Sequence, residues 1–270
     1  MTTALQAKPK AKPVRTREQR AQARSRRIKH LALAVIVFGG WQLLGTFGNP
    51  IVFPPISSVV VALWKLLVHG DLLPALGASL RLLVLGFASA FVIATVMGIA
   101  LGRYRLAGIT FNPYVNALYA TPPIALVPLI LVWFGFGLGG RVVVVFLACF
   151  FPMFINTYAG VRDAPGHLIE VARSFGARSE LLLLRQVVVP SAVPYILAGV
   201  RVGIGRAVVG MAVAEVYLRL GGIGSLIVSY GAVFKTDYVL AAILPLPLLG
   251  IGLTKVFARV EGRFSSWRPT

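Results

Sequence analysis

Long apolar segments dominate this sequence and constrain its fold more than any other feature. Several are at least as long as the roughly 20 residues that a helix needs to cross a bilayer. They run over residues 30–48, 80–102, 112–136, 141–161, 191–215 and 237–258. Hydrophobic residues make up 57% of the chain, more than a water-soluble protein of 270 residues can cover with polar surface. The sequence therefore predicts an all-α integral membrane protein with six transmembrane helices.

The distribution of positive charge predicts how these helices are oriented. The net charge is +19, and the Lys and Arg residues concentrate before Leu31 and beside the apolar segments. Membrane proteins retain such residues on the cytoplasmic side, so this pattern indicates a multi-pass protein of the plasma membrane rather than one that binds nucleic acid. We predict that both termini are cytoplasmic. The expected domains are a basic, disordered tail that can lie on membrane lipid (1–29), a transmembrane domain (30–262) and a second cytoplasmic tail (263–270).

The third apolar segment is interrupted by proline at Pro122, Pro123 and Pro128. Proline lacks an amide donor and clashes with the preceding helical turn, so a straight helix is not expected here. A break in a membrane helix is tolerated where protein or a water-filled cavity provides hydrogen bonds to the backbone groups that the break leaves unpaired. The pattern favours a span that lines a translocation path, and the alternative is a packing kink on a shielded face.

A short amphipathic segment lies between the fourth and fifth apolar segments, at residues 167–178. Leu168, Ala172 and Phe175 follow the spacing of one helical face, and Gly176 can supply the left-handed residue that closes a helix. Ser179 can then begin a second short helix that leads to the fifth span. Taken alone, this pattern also fits a helix that rests at the membrane interface without a further role.

The same segment resembles the EAA loop of binding-protein-dependent ABC importer permeases. The family pattern is E-A-A-x3-G followed by an apolar-x-Leu-Pro close, and here Glu170, Ala172 and Gly176 keep the Glu, one Ala and the Gly. Val171 replaces the middle Ala, and Val189 replaces the Leu of the closing motif. The resemblance covers roughly residues 50–262.

Further motifs in the same order narrow the resemblance to one branch of the family. They are PPIALVPL from Pro122, WFGFG from Trp133, FPMFINT from Phe151, Gly199-x-Arg201 followed by Gly205, and Ala214-Glu215. Together they are similar to permeases for nitrate, sulfonate, taurine and bicarbonate. The resemblance implies the type I ABC importer permease fold, with a cytoplasmic coupling helix. The expected function is import of a small anion.

The resemblance also implies partners and a role for the EAA segment. In the family this segment is a coupling helix that docks on a dimer of cytoplasmic ABC ATPases, while an external substrate-binding protein supplies the cargo. A second copy of the permease completes the membrane pore. The residues expected to carry the coupling are Glu170, Val171, Ala172, Phe175 and Gly176.

The chain carries no sequence signal for catalysis. It has no G-x-x-x-x-G-K-[ST] loop to cradle ATP phosphates, so ATP and Mg are expected on the partner ATPase. No nucleophile–base pair or metal-ligand pattern appears in the apolar segments. We therefore expect no enzyme activity, no cofactor and no metal in this chain.

Polar residues inside the apolar segments are the other candidates for function, because ionisable groups are costly there. Arg201 is expected near mid-bilayer, Arg206 above it, and Glu215 at the outer end of the fifth span as a gate or lining residue. Asn156 more often signals a hydrogen bond between helices than a ligand site. The predicted translocation path comprises Pro122, Pro123, Pro128, Asn156, Arg201, Arg206 and Glu215.

Three alternatives to anion import remain at this stage. The same permease architecture could import an aromatic carboxylate or a pyrimidine vitamin precursor. A secondary transporter would be expected to show an internal repeat and ionisable coupling groups in several spans, and neither is apparent.

Overall fold

The computed structural model of the chain describes residues 17–264, and these form helices joined by short connections. In chain order the helices are α1 (Arg17–Phe47), α2 (Ile56–Val68), α3 (Leu72–Arg103), α4 (Arg105–Ala120), α5 (Pro123–Phe134), α6 (Leu138–Arg162), α7 (Gly166–Ser174), α8 (Glu180–Leu183), α9 (Val189–Leu218), α10 (Ile223–Ala232), α11 (Thr236–Ile243) and α12 (Pro245–Phe264). A π-helical turn over Leu184–Val188 joins α8 to α9. The all-α fold is confirmed.

The chain divides into two compact units, one ending at Ser58 and the other beginning at Val59. In the first unit, the segment after α1 folds back on the end of that helix. The Trp41 indole donates a hydrogen bond to the Pro54 carbonyl at 3.0 Å and its ring lies 5.8 Å from that of Phe53. The Gln42 amide accepts from the Ser57 backbone at 3.1 Å. These contacts fix the turn that leads into α2.

Helices α3, α6 and α9 form the centre of the second unit, with α6 packed along the other two. Close packing in a membrane favours small residues at the contact. A Cβ at any of six glycines would come within 3.0 Å of an atom of α6, so these positions set the helix separation: Gly86, Gly98, Gly102, Gly199, Gly203 and Gly210.

Aromatic rings run along α6 and give this centre its bulk. Phe146, Phe150, Phe154 and Tyr158 succeed one another at i+4 spacing, with ring centroids 5.2, 5.7 and 6.0 Å apart. Each neighbouring pair is stacked. Because residues four apart share a helical face, this spacing makes one column of stacked aromatic rings along α6.

Five helical stretches are long and apolar enough to cross a membrane among the described residues: Ile28–Phe47, Leu72–Arg103, Leu138–Arg162, Glu180–Leu218 and Thr236–Gly262. At most 50% of any one of these spans is buried within the chain. Lipid can cover the remaining apolar side chains, whereas water would leave large hydrophobic surfaces exposed. The chain is an integral membrane protein that crosses the bilayer several times.

The predicted third span is a bent pair of helices, not a continuous one. The axes of Pro113–Ala120 and Ile124–Phe134 are bent by 104° from a straight line, so residues 17–264 contain five spans, or six if this pair crosses together. The break lies at Thr121 and Pro122, whose ψ angles of 126° and 119° are extended. A residue that precedes proline is driven out of the helical region, and the two consecutive prolines impose this twice.

The fifth span begins earlier than the sequence predicted, at Glu180 instead of residue 191. Pro190 stands beside the predicted start of this span, and in a continuous α-helix its ring would clash with the carbonyl four residues earlier. The π-helical turn removes that conflict: the Val189 amide bonds to the Leu184 carbonyl, five residues back. Helix α8 therefore continues into α9 without a break.

The first helix also begins earlier than the sequence predicted. It starts at Arg17, inside the segment expected to be a disordered tail over 1–29. Arg, Gln and Ala are strong helix formers, which explains the extension from the apolar part toward the N-terminus. Residues 1–16 and 265–270, which hold the rest of both predicted tails, lie outside the described residues.

Candidate functional site

The predicted EAA segment forms helix α7 and ends where the sequence placed its closing glycine. Gly176 has a φ of +92°, and no atom lies within 4 Å of the position a Cβ would take. Its amide donates to the Arg173 carbonyl at 3.0 Å, and the Ala177 amide donates to the Ala172 carbonyl at 3.0 Å. This pair of bonds is a Schellman motif. The glycine of the EAA pattern is therefore required by backbone conformation and not by crowding.

The apolar residues of α7 point in two directions. Ile169 packs against a small buried cluster of Val161, Val188 and Ala192, which attaches the helix to α6 and α9. The other apolar side chains stay exposed, and none of the residues of α7 is buried. Leu168 and Val171 are 42% and 50% exposed, and Phe175, at the end of the helix, is 89% exposed. Residues at i, i+3 and i+7 share one face, so α7 presents an apolar strip outward.

Glu180 ties α7 to the end of α3. Its carboxylate forms ion pairs with Arg103, the last residue of α3, and with Arg173 of α7, the latter at 3.3 Å. Glu180 also stands in the first turn of α8, where a negative charge is favoured by the helix dipole. No sequence motif predicted a role for this residue, which lies just beyond the EAA pattern. One carboxylate thus links three elements.

The other residues of the EAA pattern on α7 are exposed or half-buried. Glu170 is exposed, and its carboxylate has no ion pair among the residues that the structure describes. Its backbone carbonyl accepts a hydrogen bond from the Ser174 hydroxyl at 3.0 Å. Ala172 is half-buried, and its small side chain sits between the exposed strip and the attached side of α7. The five predicted coupling residues therefore lie together on one short helix and its closing turn.

Helix α9 carries both predicted arginines on its exposed side. Arg201 is 55% exposed at the side chain and forms an ion pair with Glu261. Glu261 lies at the end of the α12 span, so the guanidinium group of Arg201 lies beside the end of that span. Arg206 is exposed on the same side and forms no ion pair among residues 17–264.

Glu215 is fully buried near the other end of α9. Its Oε2 accepts hydrogen bonds from the Ser79 hydroxyl of α3 and from the Gly224 amide of α10, both at 2.9 Å. The Ser79 oxygen in turn accepts from the Ile223 amide at 2.9 Å. The free amides at the start of a helix need such acceptors, and their dipole favours a carboxylate. Glu215 and Ser79 together cap α10.

Two glycines and an arginine complete the surroundings of this carboxylate. A Cβ on Gly222 would lie 2.1 Å from Glu215 Oε1, and one on Gly224 would lie 2.5 Å from the Glu215 Cβ. The Arg141 guanidinium donates to the Leu220 carbonyl and places a positive charge near the carboxylate. The glycines after Glu215 thus form a tight turn that leads into α10.

The other residues of the predicted path are spread along the bundle. Pro122 is exposed at the α4–α5 break, Pro123 starts α5 and Pro128 lies exposed within it. The Asn156 side-chain amide donates to the Pro152 carbonyl of its own helix at 2.7 Å, and its Cβ lies against Gly199 of α9. Asn156 therefore bonds within α6 at the contact with α9.

At the other end of α3, a cavity of about 370 Å³ opens beside a pair of stacked tyrosines. Tyr230 and Tyr238 stack at 4.8 Å, and Lys235 lies 5.5 Å from the Tyr238 ring. The Tyr230 hydroxyl donates to Asp71 at 3.4 Å. Burial raises the pKa of Tyr230, and the negative charge of Asp71 raises it further.

Comparison with known proteins identifies the family to which this chain belongs. Residues 90–266 match the family described as binding-protein-dependent transport system inner membrane component. The chain belongs to this family. It is similar to a putative ABC transporter permease protein of Methanocaldococcus jannaschii, with 33% identity over 247 residues, which are 88% of this chain and 90% of the relative.

Two further relatives place the permease within the family. The putative aliphatic sulfonates transport permease protein SsuC of Bacillus subtilis is 30% identical over 263 residues, 96% of this chain and 95% of the relative. The taurine transport system permease protein TauC of Escherichia coli is 29% identical over 224 residues, 81% of each chain. The sequence prediction of an ABC importer permease of the sulfonate and taurine branch is confirmed.

Membership of the family bears on the partners of the permease. A binding-protein-dependent system implies a substrate-binding protein, and an ABC system implies an ATPase, so both are partners of this chain. Sequence reasoning found α7 and its closing glycine. It missed the Arg103–Glu180 ion pair and the Ser79 hydroxyl, because both depend on residues far apart in the chain. The only signal for the former was opposite charge at two helix ends.

Proposed function

We propose that the permease couples transport to a separate ATPase through α7, and that the ATPase supplies all ATP and Mg chemistry. In this proposal the permease is not an enzyme. ATP draws the two ATPase subunits together, α7 moves with the subunit on which it is docked, and the spans switch the side to which their cavity opens. Such switching requires a ligand that binds one of two states more tightly, which is the role of ATP here.

The observation that carries the proposal is the exposed apolar strip of α7. Leu168, Val171 and Phe175 lie outside the five spans, and other residues of the chain leave them exposed. Exposed large apolar residues on one face of a helix favour docking in a groove of a partner. Glu170, which has no ion pair among the described residues, supplies a charge for a cation across that contact. The attachment through Ile169 and Glu180 lets α7 pass movement on to α3, α6 and α9.

For the cargo, we infer a small organic anion of the sulfonate or taurine type. The support is the similarity to the sulfonate and taurine permeases, which extends over most of the chain. An alternative is a vitamin or an aromatic compound. It is favoured by similarity to the riboflavin transport system permease protein RibX of Chloroflexus aurantiacus, 33% identical over 237 residues and 87% of each chain. A secondary transporter is disfavoured by the family match.

We further propose that a second copy of the permease faces α9 and that the cargo passes along this side. An unpaired arginine within a span is costly in lipid, so Arg206 should face water or the partner subunit. Arg201, paired with Glu261, lies on the same exposed side. The broken α4–α5 pair with Pro122, Pro123 and Pro128 offers backbone groups to such a path. Asn156 and the buried Glu215 hold the helices that border it.

The orientation follows from the charge pattern. We propose that α7 and both termini face the cytoplasm of a plasma-membrane protein and that the α2–α3 and α10–α11 connections face outward. Arg103, Arg162 and Arg185 all lie at the α7 end of the helices, as expected for the side that retains positive residues.

The test changes the exposed strip without touching a span. Phe175→Ala should lower substrate-stimulated ATP hydrolysis and uptake by at least fivefold in the reconstituted complex, because it removes the most exposed apolar group of α7. Gly176→Asp and Glu170→Lys should act in the same direction. The matched control is Leu106→Ala, which removes an exposed apolar side chain of α4, 84% exposed, that lies outside the spans and outside the strip. Wild-type hydrolysis and uptake in the Phe175 and Gly176 variants would reject the coupling role.

A further inference from the structure

A cavity of about 400 Å³ opens at the α7 end of the bundle, between the ends of α3 and α6 and the π-helical turn. Its size falls within the range of pockets that hold small molecules in proteins. Its polar lining consists of Arg103, Tyr158 and Arg162, and its apolar lining includes Val161, Ile169 and Val188. It touches none of the residues of the proposed path, so it is a separate site.

The charges of the lining residues are unbalanced. Arg103 and Arg162 both carry a positive charge, and no Asp or Glu lines the cavity. Arg162 has no ion pair among the described residues, and the Nε of Arg103 is buried without a hydrogen-bond partner there. A buried donor without an acceptor is unfavourable, and two like charges that share a cavity repel each other. An anion in this cavity would accept a hydrogen bond from the Arg103 Nε and would reduce the repulsion between the two guanidinium groups.

We propose that this cavity binds an oxyanion group, a sulfonate or a phosphate, through the guanidinium groups of Arg103 and Arg162. Arginine recognises such groups through two parallel hydrogen bonds, and Tyr158 adds a hydroxyl donor. The apolar wall accommodates a short carbon chain attached to the oxyanion. A free anion in the cytoplasm and the headgroup of an anionic lipid share this chemistry.

Occupancy of the cavity has a direct consequence for α7. Arg103 is the ion-pair partner of Glu180, and Glu180 also holds Arg173 of α7. A bound anion competes with Glu180 for Arg103 and weakens the link between α3 and α7. This regulatory effect rests on the proposed coupling function of α7, whereas the binding of the anion does not.

Sulfate is the probe for the binding itself. Full-length permease in phosphatidylcholine nanodiscs is titrated with sodium sulfate by calorimetry, with sodium chloride adjusted to keep the ionic strength constant. We expect saturable binding that Arg162→Gln weakens at least tenfold. The matched control is Arg178→Gln, which removes an exposed arginine outside the cavity and should leave binding unchanged.

If Glu180 competes with the anion for Arg103, removing the charge of Glu180 should strengthen sulfate binding, whereas Arg162→Gln weakens it. Glu180→Gln frees Arg103 and should tighten sulfate binding about threefold. Glu170→Gln makes the same chemical change on α7 at a carboxylate with no ion pair among the described residues, and it should have no effect. A general effect of net charge would instead shift both variants equally and would overturn the proposal.

Changing the lipid composition of the nanodiscs shows whether the natural ligand is a lipid headgroup or a free anion. If a lipid headgroup occupies the cavity, replacing half of the phosphatidylcholine by phosphatidylglycerol will weaken sulfate binding more in the wild type than in Arg162→Gln. If the ligand is a free anion, the negative surface of the phosphatidylglycerol membrane will lower the affinity of both proteins by the same factor. Either result supports the site, whereas absent saturable binding, or equal binding in Arg162→Gln and wild type, overturns it. Phe175→Ala should bind sulfate normally even if it loses coupling, so the failures of the two proposals can be distinguished.

Discussion

At the residue scale, the turn after α9 shows how one carboxylate constrains its neighbours. Glu215 is surrounded by the Ser79 hydroxyl, two amides of α10 and the glycines of the turn. Gly221 and Gly222 have φ angles of +79° and +87°, a region that side chains other than glycine rarely adopt. Only Gly222 also lies against the carboxylate. Comparing the two glycines by experiment therefore tests the steric contact with Glu215 against the cost of a side chain at positive φ.

Gly222→Ala should destabilise the permease more than Gly221→Ala. Both substitutions place a side chain at positive φ, which costs on the order of 1–3 kcal/mol. A Cβ at position 222 would also lie 2.1 Å from Glu215 Oε1, whereas nothing lies within 4 Å at position 221. The measurement is the temperature at which half of the detergent-solubilised protein aggregates. Equal losses in the two variants would show that the contact with Glu215 does not matter.

The sequence anticipated Gly176 better than it anticipated Glu180. A glycine after a short amphipathic pattern indicates a helix end through local backbone geometry alone, and the Schellman motif confirms that prediction. The partners of Glu180 come from α3 and α7, and a carboxylate that joins distant elements leaves no local pattern. The same reason applies to Ser79, which lies in an apolar helix and meets Glu215 from far along the chain.

At the element scale, α7 is attached by few contacts, so its mobility should respond to single changes. Glu180→Gln removes both ion pairs to Arg103 and Arg173. Partly exposed ion pairs contribute up to about 1 kcal/mol each, so amides of α7 should exchange with solvent roughly two- to fivefold faster. Hydrogen exchange followed by mass spectrometry measures this directly. Glu170→Gln is the control, and an unchanged rate in the Glu180 variant would mean that the ion pairs do not hold the helix.

The broken third span offers a second test at this scale. Replacing both Pro122 and Pro123 by Ala removes the two restraints that keep the break extended, and α4 and α5 should then join into one helix. Spin labels at Tyr114 and Val132, both exposed, would be about 27 Å apart in a straight helix of that length and about 10 Å closer at the observed bend. Pulsed electron resonance measures the distance.

The single variant Pro128→Ala is the control for this experiment. It removes a proline within α5 and leaves the break in place, so the label distance should not change. A distance in the double variant equal to that of the wild type would mean that packing against α6, and not the prolines, sets the bend.

Helix existence was more predictable than helix length. Apolar segments of about 20 residues are strong signals, and the five described spans overlap five of the six predicted ones, whereas the predicted third span is the bent α4–α5 pair. The ends were less predictable, because α3 and the α8–α9 helix continue past the apolar part where no residue stops them. The π-helical turn at Leu184–Val188 accommodates Pro190 within a continuous helix. It depends on the packing of the whole helix, so no local sequence pattern predicts it.

At the scale of the whole molecule, the proposed orientation can be tested with single cysteines. Cys149 is buried, so a membrane-impermeant thiol reagent should not reach it in the native protein. Cysteines at Asn49 and Phe234 should be labelled in intact cells. Cysteines at Phe175 and Ser265 should be labelled only after the membrane is opened. Labelling of either of the latter from outside would contradict the orientation.

The cap formed by Glu215 has a consequence for how the permease is made. Ser79 meets Glu215 across 136 residues of sequence and Ile223 across 144. The ribosome therefore delivers α3 to the membrane long before its polar partners exist, and during that interval the serine hydroxyl can bond to a carbonyl of its own helix. Only when residue 224 has been synthesised can the cap close. Chains that end earlier can insert their first helices, but they leave Ser79 without the partners that join α3 to α9 and α10.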